Sequence, residues 1–302
     1  MSGSWQFWID VGGTFTDCIG VTSDGKLRQF KTLSSGVTKG SIPQGSDYSF
    51  ADPLRISDPA EFWTGATCRL LSRNGETIHN TTVTVFDNVT GTLQLKDIPD
   101  RDEIASYELD LNLPAPVLAI RWLLGLSPGD ECPPVRVRFG TTRGTNALLT
   151  RRGARTALIT TRGFGDVPLI GNQDRPDLFD LNIRKPEPLF SQVFEVDERI
   201  AADGSVLLHY DRDREQQRLI EAGIVPKNFD SIAICFMNAY RNPVHEKSFE
   251  SLVRDLGFSE ISRSSEVSPL IRFVPRCDTT VLDAYLNPVL RQYMEEIRGH
   301  LP

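Results

Sequence analysis

The sequence predicts an α/β protein with a mixed sheet, on three observations. A strand, a helix and a strand follow one another across residues 133–161, and strands joined through a helix lie parallel. The N-terminus reads instead as short strands separated by glycine turns, an antiparallel start. Between these two regions, residues 63–98 are rich in β-branched side chains and punctuated by Asn74-Gly75 and Thr90-Gly91, which reads as a small β-meander or barrel.

The elements follow in order. Strands are expected at 5–11, 15–22 and 26–33, turning at Gly12-Gly13 and Asp24-Gly25. Residues 34–60, rich in Ser, Gly, Pro and Asp, read as loop. Prolines open an apolar-faced helix at 114–126. Then come a strand at 133–140, a helix at 141–153 that Gly153 ends, and a strand at 154–161. A polar loop covers 171–189, and "QVFEVDERIAADGSVLLHYD" is strand-like on both sides of Asp203-Gly204. A buried-type strand at 231–237 precedes a punctuated helix at 242–257, with Asn242 as N-cap, Pro243 as first residue and Gly257 as stop. Phe249, Leu252, Val253 and Leu256 form its apolar stripe. Helical spacing returns at 279–299, where Pro288 forces a kink or a restart after Asn287.

Bulk properties exclude several classes. A chain of 302 residues suggests about two domains. A net charge of −7 argues against a dominant nucleic-acid surface. Cys18, Cys68, Cys132, Cys235 and Cys277 are odd in number and scattered, which fits a reduced, cytoplasmic setting. The four histidines lack metal-ligand spacing, so a zinc site is not expected. No signal peptide and no apolar run of about 20 residues is seen, so no membrane span is expected.

Three stretches carry candidate chemistry. In "WIDVGGTFTDCIGV", glycines at a hairpin tip can take positive φ and admit close neighbours. Successive amides around such a turn make an anion nest. Thr14 and Thr16 add hydroxyls beside Gly12 and Gly13, and Asp10 and Asp17 can hold Mg2+ through water. The stretch suits a magnesium–nucleotide phosphate tail; a plain tight turn flanked by surface aspartates is the alternative. In "RFGTTRGTNALL", a helix begins after Gly140, where unpaired amides suit an anion or oxyanion. Thr141, Thr142, Thr145 and Asn146 are its polar groups, and a simple N-cap role for Thr141 or Thr142 stays open. In residues 160–181, Arg162, Asn172, Asp174 and Arg175 follow a strand's carboxyl end and suit a carboxylate or an amide. Surface or loop-structuring roles are the alternative there. Other phosphate loops and the G-x-S-x-G elbow are absent.

Taken in order, "IDVGGTFTD", "GTTRGTNALLTRRGARTALITTRGFGDVPLIGNQDRPDLFDL", "FEVDERI", "IAICFMNAYRNPVHE" and "SEVSPLIRFVPRCDTTVLDAYLNPV" closely resemble the N-terminal region of the hydantoinase A / 5-oxoprolinase family. The likeness runs over residues 5–33 and about 114–298. It implies an actin-like ATPase lobe with a ribonuclease-H-like core, formed by 1–44 and 113–302, with 45–112 as an inserted β-rich subdomain. It also implies that Gly12, Gly13 and Thr14 contact ATP phosphates and that Asp10 sits near Mg2+. Family members use ATP to open cyclic amides, converting 5-oxoproline to glutamate or hydantoins to carbamoyl amino acids. Phosphorylation of the amide oxygen makes it a good leaving group, and water can then attack the activated carbonyl carbon. Thr141, Thr142 and Asn146 are then the candidate catalytic residues, stabilising the activated carbonyl oxygen.

The resemblance further implies partners: a second ATPase lobe carrying the adenine site, and a hydantoinase B-type subunit or domain, in an oligomer. This region alone is then expected to bind nucleotide weakly. Relatives include subunits of ATP-dependent acetone and acetophenone carboxylases, so a ketone carboxylase subunit is one alternative. A non-catalytic regulatory subunit is another. Two departures bear on this: Phe139 stands where the family commonly has His before Gly-Thr-Thr, and residues 63–98 match no standard family element.

Overall fold

The computed structural model describes residues 5–22, 24–42, 48–98, 104–172, 179 and 186–302. Three strands, β1 (Gln6–Val11), β2 (Phe15–Val21) and β3 (Leu27–Leu33), open the chain as an antiparallel meander. Phe7, Ile9 and Val11 are buried while Trp8 and Asp10 are exposed, the alternation of a sheet covered on one face.

A second sheet follows, built from β4 (Thr38–Ser41), β5 (Ser49–Ala51), β6 (Thr67–Ser72), β7 (Thr77–Asp87), β8 (Thr92–Leu95) and β9 (Ile104–Asp110). Its order is β4-β9-β6-β7-β8-β5 and its pairings are antiparallel. The segment read as loop at 34–60 thus supplies two short edge strands. Helix α1 (Ala115–Leu124) ends at Gly125, whose φ of 70° suits a glycine C-cap. Next come β10 (Arg136–Thr141) and α2 (Arg143–Leu149). Strand β10 returns to pair parallel with β1, giving the order β10-β1-β2-β3.

Helix α1 is shared by both sheets. Its Val117, Ala119, Ile120 and Leu123 pack on the Phe7–Ile9–Val11 face. Its Leu118 enters the core of the six-stranded sheet with Phe62, Trp63, Leu70 and Tyr107. The buried carboxylate of Asp58 joins them, accepting from the Trp63 indole at 2.6 Å, the Trp122 indole at 2.9 Å and Arg55 at 3.0 Å.

The chain divides into two compact units, Met1–Asn146 with Tyr293–Pro302, and Ala147–Gln292. Residues 45–112 fall in the first of these units, where α1 packs against both sheets.

The second unit begins with β11 (Thr156–Thr161) and the short α3 (Val167–Ile170). Then come β12 (Phe190–Val196), the hairpin β13 (Arg199–Ile200) and β14 (Val206–Leu208), and α4 (Arg212–Glu221). It continues through β15 (Ser231–Cys235), α5 (Val244–Asp255), β16 (Ile261–Arg263), α6 (Ser264–Val267) and α7 (Phe273–Arg298). The strands form a parallel sheet in the order β12-β11-β15-β16. Every residue of β11 and β15 is buried, as expected for central strands covered on both faces. Helix α5 packs Phe249, Leu252 and Val253 into that core, as its stripe predicts.

Two elements depart from expectation. Helix α4 was not anticipated, although Asp211 caps it by accepting from the Arg214 amide at 3.1 Å. Helix α7 starts earlier than expected and continues through Pro288 without a restart. Among the described residues, no helix is long and apolar enough to cross a membrane.

Two predictions follow from packing. Replacing Asp58 with Ala strands two indole donors and one guanidinium, and denaturant titration should register a loss of about 3 kcal/mol; an unchanged midpoint contradicts this role. Burial pushes the thiols of Cys18 and Cys68 up to about 12. Cys277 is raised by its contact with Cys235 and by burial, whereas Cys132 is only partly covered. A thiol reagent at mildly alkaline pH should therefore label Cys132 first and reach the other four only on unfolding; rapid labelling of a second thiol in the native protein contradicts the burial pattern.

Candidate functional site

Parallel pairing of β1 with β10 sets Asp10 opposite Gly140 and Val11 opposite Thr141. The two motifs "DVGGT" and "GTTRGTN", 130 positions apart from Asp10 to Gly140, therefore end side by side at the carboxyl edge of one strand pair. The Thr142 amide donates to the Val11 carbonyl at 3.0 Å and its hydroxyl leans on the same oxygen at 3.4 Å. A Cβ built on Gly13 would lie 3.4 Å from Asn146 Nδ2, so that amide stands directly against the glycine turn.

The turn itself is tighter than the sequence suggested. Neither Gly12 nor Gly13 lies in the left-handed region. Position 12 needs glycine for a different reason: a Cβ there would meet the Phe15 carbonyl at 2.9 Å. The Gly12 amide is spent on that carbonyl at 2.9 Å. The Gly13 and Thr14 amides have no acceptor among the described residues, and both residues are exposed. The nest is thus two amides wide.

Sequence reasoning missed the residue that braces this turn. Ser34 donates its hydroxyl to the Gly12 carbonyl at 2.8 Å and its amide to the Thr14 carbonyl at 2.9 Å. The only sequence signal was a serine pair closing the third strand. Thr16, expected to line the phosphate site, is fully buried with its hydroxyl 3.0 Å from Ser34 Oγ. It faces the core because strand alternation puts it on the side opposite Asp17. Its role is to hold Ser34.

Asp10 and Asp17 face each other in the β1–β2 register on the open side of the sheet. Asp17 is paired with Lys31 at 2.8 Å, and both side chains are exposed. The Asp10 carboxylate has no hydrogen-bond or ionic partner among the described residues. Below them lies a concavity of about 330 Å³ lined by Trp8, Asp10, Asp17, Ile19, Arg138 and Gly140. The described residues contain no cluster of three metal-ligating side chains. Mg2+ does not require one, since it keeps several waters and takes one or two carboxylates plus phosphate oxygens. A carboxylate and two amides without partners among the described residues, on one strand and the turn that follows it, suit a magnesium–phosphate group better than a bare ion.

Thr141 acts as a local cap, its hydroxyl accepting from the Arg143 amide at 3.1 Å. Arg143 stacks on the Tyr293 ring at 3.8 Å. Phe139 lies on the α1 side of the sheet, edge-on to Tyr293 at 6.3 Å, so its face is opposite that of Asp10.

The third candidate set lies in the second unit. Arg162 follows β11, but its Nε is paired with Asp197 at 2.6 Å, so this guanidinium is already engaged. Asn172 is exposed beyond α3. Asp174 and Arg175 lie outside the described residues. The same edge holds a further polar chain, buried at Thr161, Glu198 and His245. Glu198 accepts from His245 Nδ1 at 2.6 Å and from the Thr161 hydroxyl, and His245 Nε2 lies 3.4 Å from His209 Nδ1.

A glycine turn between antiparallel strands, beside a parallel strand that leads into a short helix, defines a mixed α/β lobe. The hydantoinase/oxoprolinase N-terminal region matches residues 6–97 and 96–257, and the chain belongs to that family. The 5-oxoprolinase of Saccharomyces cerevisiae is 40% identical over 190 residues, which is 55% of this chain and 15% of the yeast protein. A nucleotide-free acetone carboxylase structure, from work on ATP-dependent acetone carboxylation, superposes with a TM-score of 0.58 at 17% identity, covering 99% of this chain and 34% of that one. The ATP-dependent caprolactamase of Pseudomonas jessenii gives 0.57 at 23%, covering 97% and 33%. These structures share the mixed α/β fold, and the chain spans about a third of them.

The turn geometry separates its two glycines. Gly12→Ala should lower stability by about 1–3 kcal/mol, because the methyl group meets fixed backbone. Gly13→Ala should leave the melting temperature unchanged, and equal melting of the two variants contradicts the described turn.

Proposed function

We propose that this chain is the N-terminal portion of an ATP-dependent cyclic amidase of the 5-oxoprolinase or hydantoinase type. On this reading it is a lobe of the actin-like, ribonuclease-H-like kind that works with Mg2+ in the cytoplasm. One observation carries it: the Gly13 and Thr14 amides and the Asp10 carboxylate, without partners among the described residues, sit with Asn146 near the carboxyl ends of the paired strands β1 and β10. The family membership and the 5-oxoprolinase and caprolactamase relatives, both named for cyclic amides, favour this substrate class.

When bound, magnesium–ATP supplies the phosphoryl group that activates an amide carbonyl oxygen. The chain's own contribution is positioning and charge stabilisation. Gly13 and Thr14 would donate amide hydrogens to the phosphates. Asp10 would hold Mg2+ through water, and Asp17, tied to Lys31, keeps a second negative charge on the same face. Thr142 and Asn146 orient the oxygen on which charge develops, with Thr141 fixing the backbone that carries them. Arg162, Asn172, Asp174 and Arg175 remain the proposed substrate contacts of the second unit, with Arg162 acting as an Arg162–Asp197 pair. A second lobe and a hydantoinase B-type subunit or domain, assembled as an oligomer, complete the site.

A ketone carboxylase subunit is the second reading, favoured by the acetone carboxylase likeness. Phosphate release from ATP, assayed with the partner chains present, separates the two. Stimulation by 5-oxoproline or a hydantoin supports the amidase, and stimulation only by bicarbonate plus a ketone supports the carboxylase. No stimulation by either favours a non-catalytic role. In the same assay Thr142→Ala should lower turnover about a hundredfold while sparing nucleotide affinity; unchanged turnover refutes its place at the oxyanion.

A further inference from the structure

In the second unit, loops leaving the carboxyl ends of β11, β15 and β16 meet the start of α7 around one fully buried guanidinium, that of Arg276. Its Nη1 donates to Ser264 Oγ at 2.9 Å, and that hydroxyl donates to Glu246 Oε1 at 2.6 Å. Glu246, also buried, accepts from the Phe236 amide at 2.9 Å and the Ser265 amide at 2.8 Å. The carboxylate is therefore satisfied. The guanidinium is not: among the described residues Nε and Nη2 have no hydrogen-bond partner, and neither has Ser265 Oγ.

Buried polar groups are almost always paired, so an orphaned pair of donors needs an explanation. Nε and Nη2 form one edge of the planar fork, the edge that grips a carboxylate or phosphate with two parallel hydrogen bonds. Aromatic rings frame it. The guanidinium carbon lies 5.6 Å from the Phe273 ring and 5.7 Å from the Tyr240 ring, and Phe164 leans on Phe273 at 5.7 Å. The position is the carboxyl edge of a parallel sheet, where open α/β folds bind ligands. Arg162, the cation that sequence reasoning put forward, has its Nε on Asp197.

We propose that the Nε–Nη2 edge of Arg276 receives a small oxyanion, the carboxylate of a small flat-ring substrate whose ring packs against Phe273 and Tyr240. The ring rests on the cyclic-amide reading above; the oxyanion rests on the buried fork alone. Arg276 is closed from solvent while Phe273 and Tyr240 are partly exposed, so one of those rings must turn to admit the ligand.

Calorimetry on the 302-residue chain tests this without ATP, so its failure is distinct from failure of ATP turnover. The ligands are 5-oxoproline, 2-pyrrolidinone (the same ring without the carboxylate) and inorganic phosphate. The wild type should bind 5-oxoproline at least about tenfold more tightly than 2-pyrrolidinone. Arg276→Met should erase that preference, and Arg276→Lys should keep only part of it. Binding of phosphate that needs Arg276, without a preference for 5-oxoproline, keeps the oxyanion site and assigns it to a free anion. Equal binding of the two rings without phosphate binding, no binding at all, or unchanged affinity in Arg276→Met overturns the proposal. Because a buried arginine variant can fail to fold, the Arg276 Nε–H resonance of the wild-type chain gives a second readout. It should move on titration with 5-oxoproline or phosphate, and a stationary resonance under saturating ligand overturns the site.

Discussion

Everything in the candidate phosphate site depends on the parallel pairing of β1 with β10. Without it, the Gly12-Gly13 turn is a hairpin tip and the Thr142–Asn146 segment is the start of a short helix. The pairing fixes Val11 against Thr141, and the Thr142 amide then closes onto the Val11 carbonyl at 3.0 Å. Asn146 is carried one helical turn further, against Gly13. A shift of one residue in this register would move every side chain of β10 to the other face. It would also exchange Gly140, open beside Asp10, for Phe139 or Thr141.

The register is held from behind. Phe7, Ile9 and Val11 bury against α1, and α1 is itself anchored in the six-stranded sheet through Leu118 and the Asp58–Trp122 hydrogen bond. The β-rich segment is thus more than an excursion from the lobe. It fixes the helix that fixes the sheet that aims the turn. Ser34 completes the support from the other side, linking the end of β3 to both the Gly12 and Thr14 carbonyls.

Much of this was legible in the sequence, and the limits have physical causes. Glycine turns, β-branched strands and the apolar stripe of α5 are local signals, and they placed those elements within a few residues. Helix α7 ran through Pro288 because Tyr285, Tyr293 and Ile297 bury on both sides of it, and tertiary packing outweighs one missing amide. Thr16 shows one such limit: composition counts its hydroxyl, while strand alternation decides which side it faces. The proposed catalytic threonines were legible as residues but not as partners of Val11 and Arg143, since those contacts form across the β1–β10 pairing or within the turn. The buried Glu198–His245 and Glu246–Ser264–Arg276 groups needed the fold, because no spacing rule joins residues from separate strand ends.

The central claim is that the Gly13–Thr14 amides and Asp10 form one magnesium–phosphate site. Backbone amide resonances followed during titration with magnesium–triphosphate test it most directly, and they report even weak binding. The account predicts that the Gly13 and Thr14 amides move together, and that Asp10→Asn suppresses the part of that movement that needs Mg2+. Saturable shifts elsewhere with Gly13 and Thr14 stationary, or identical shifts in Asp10→Asn, would contradict it.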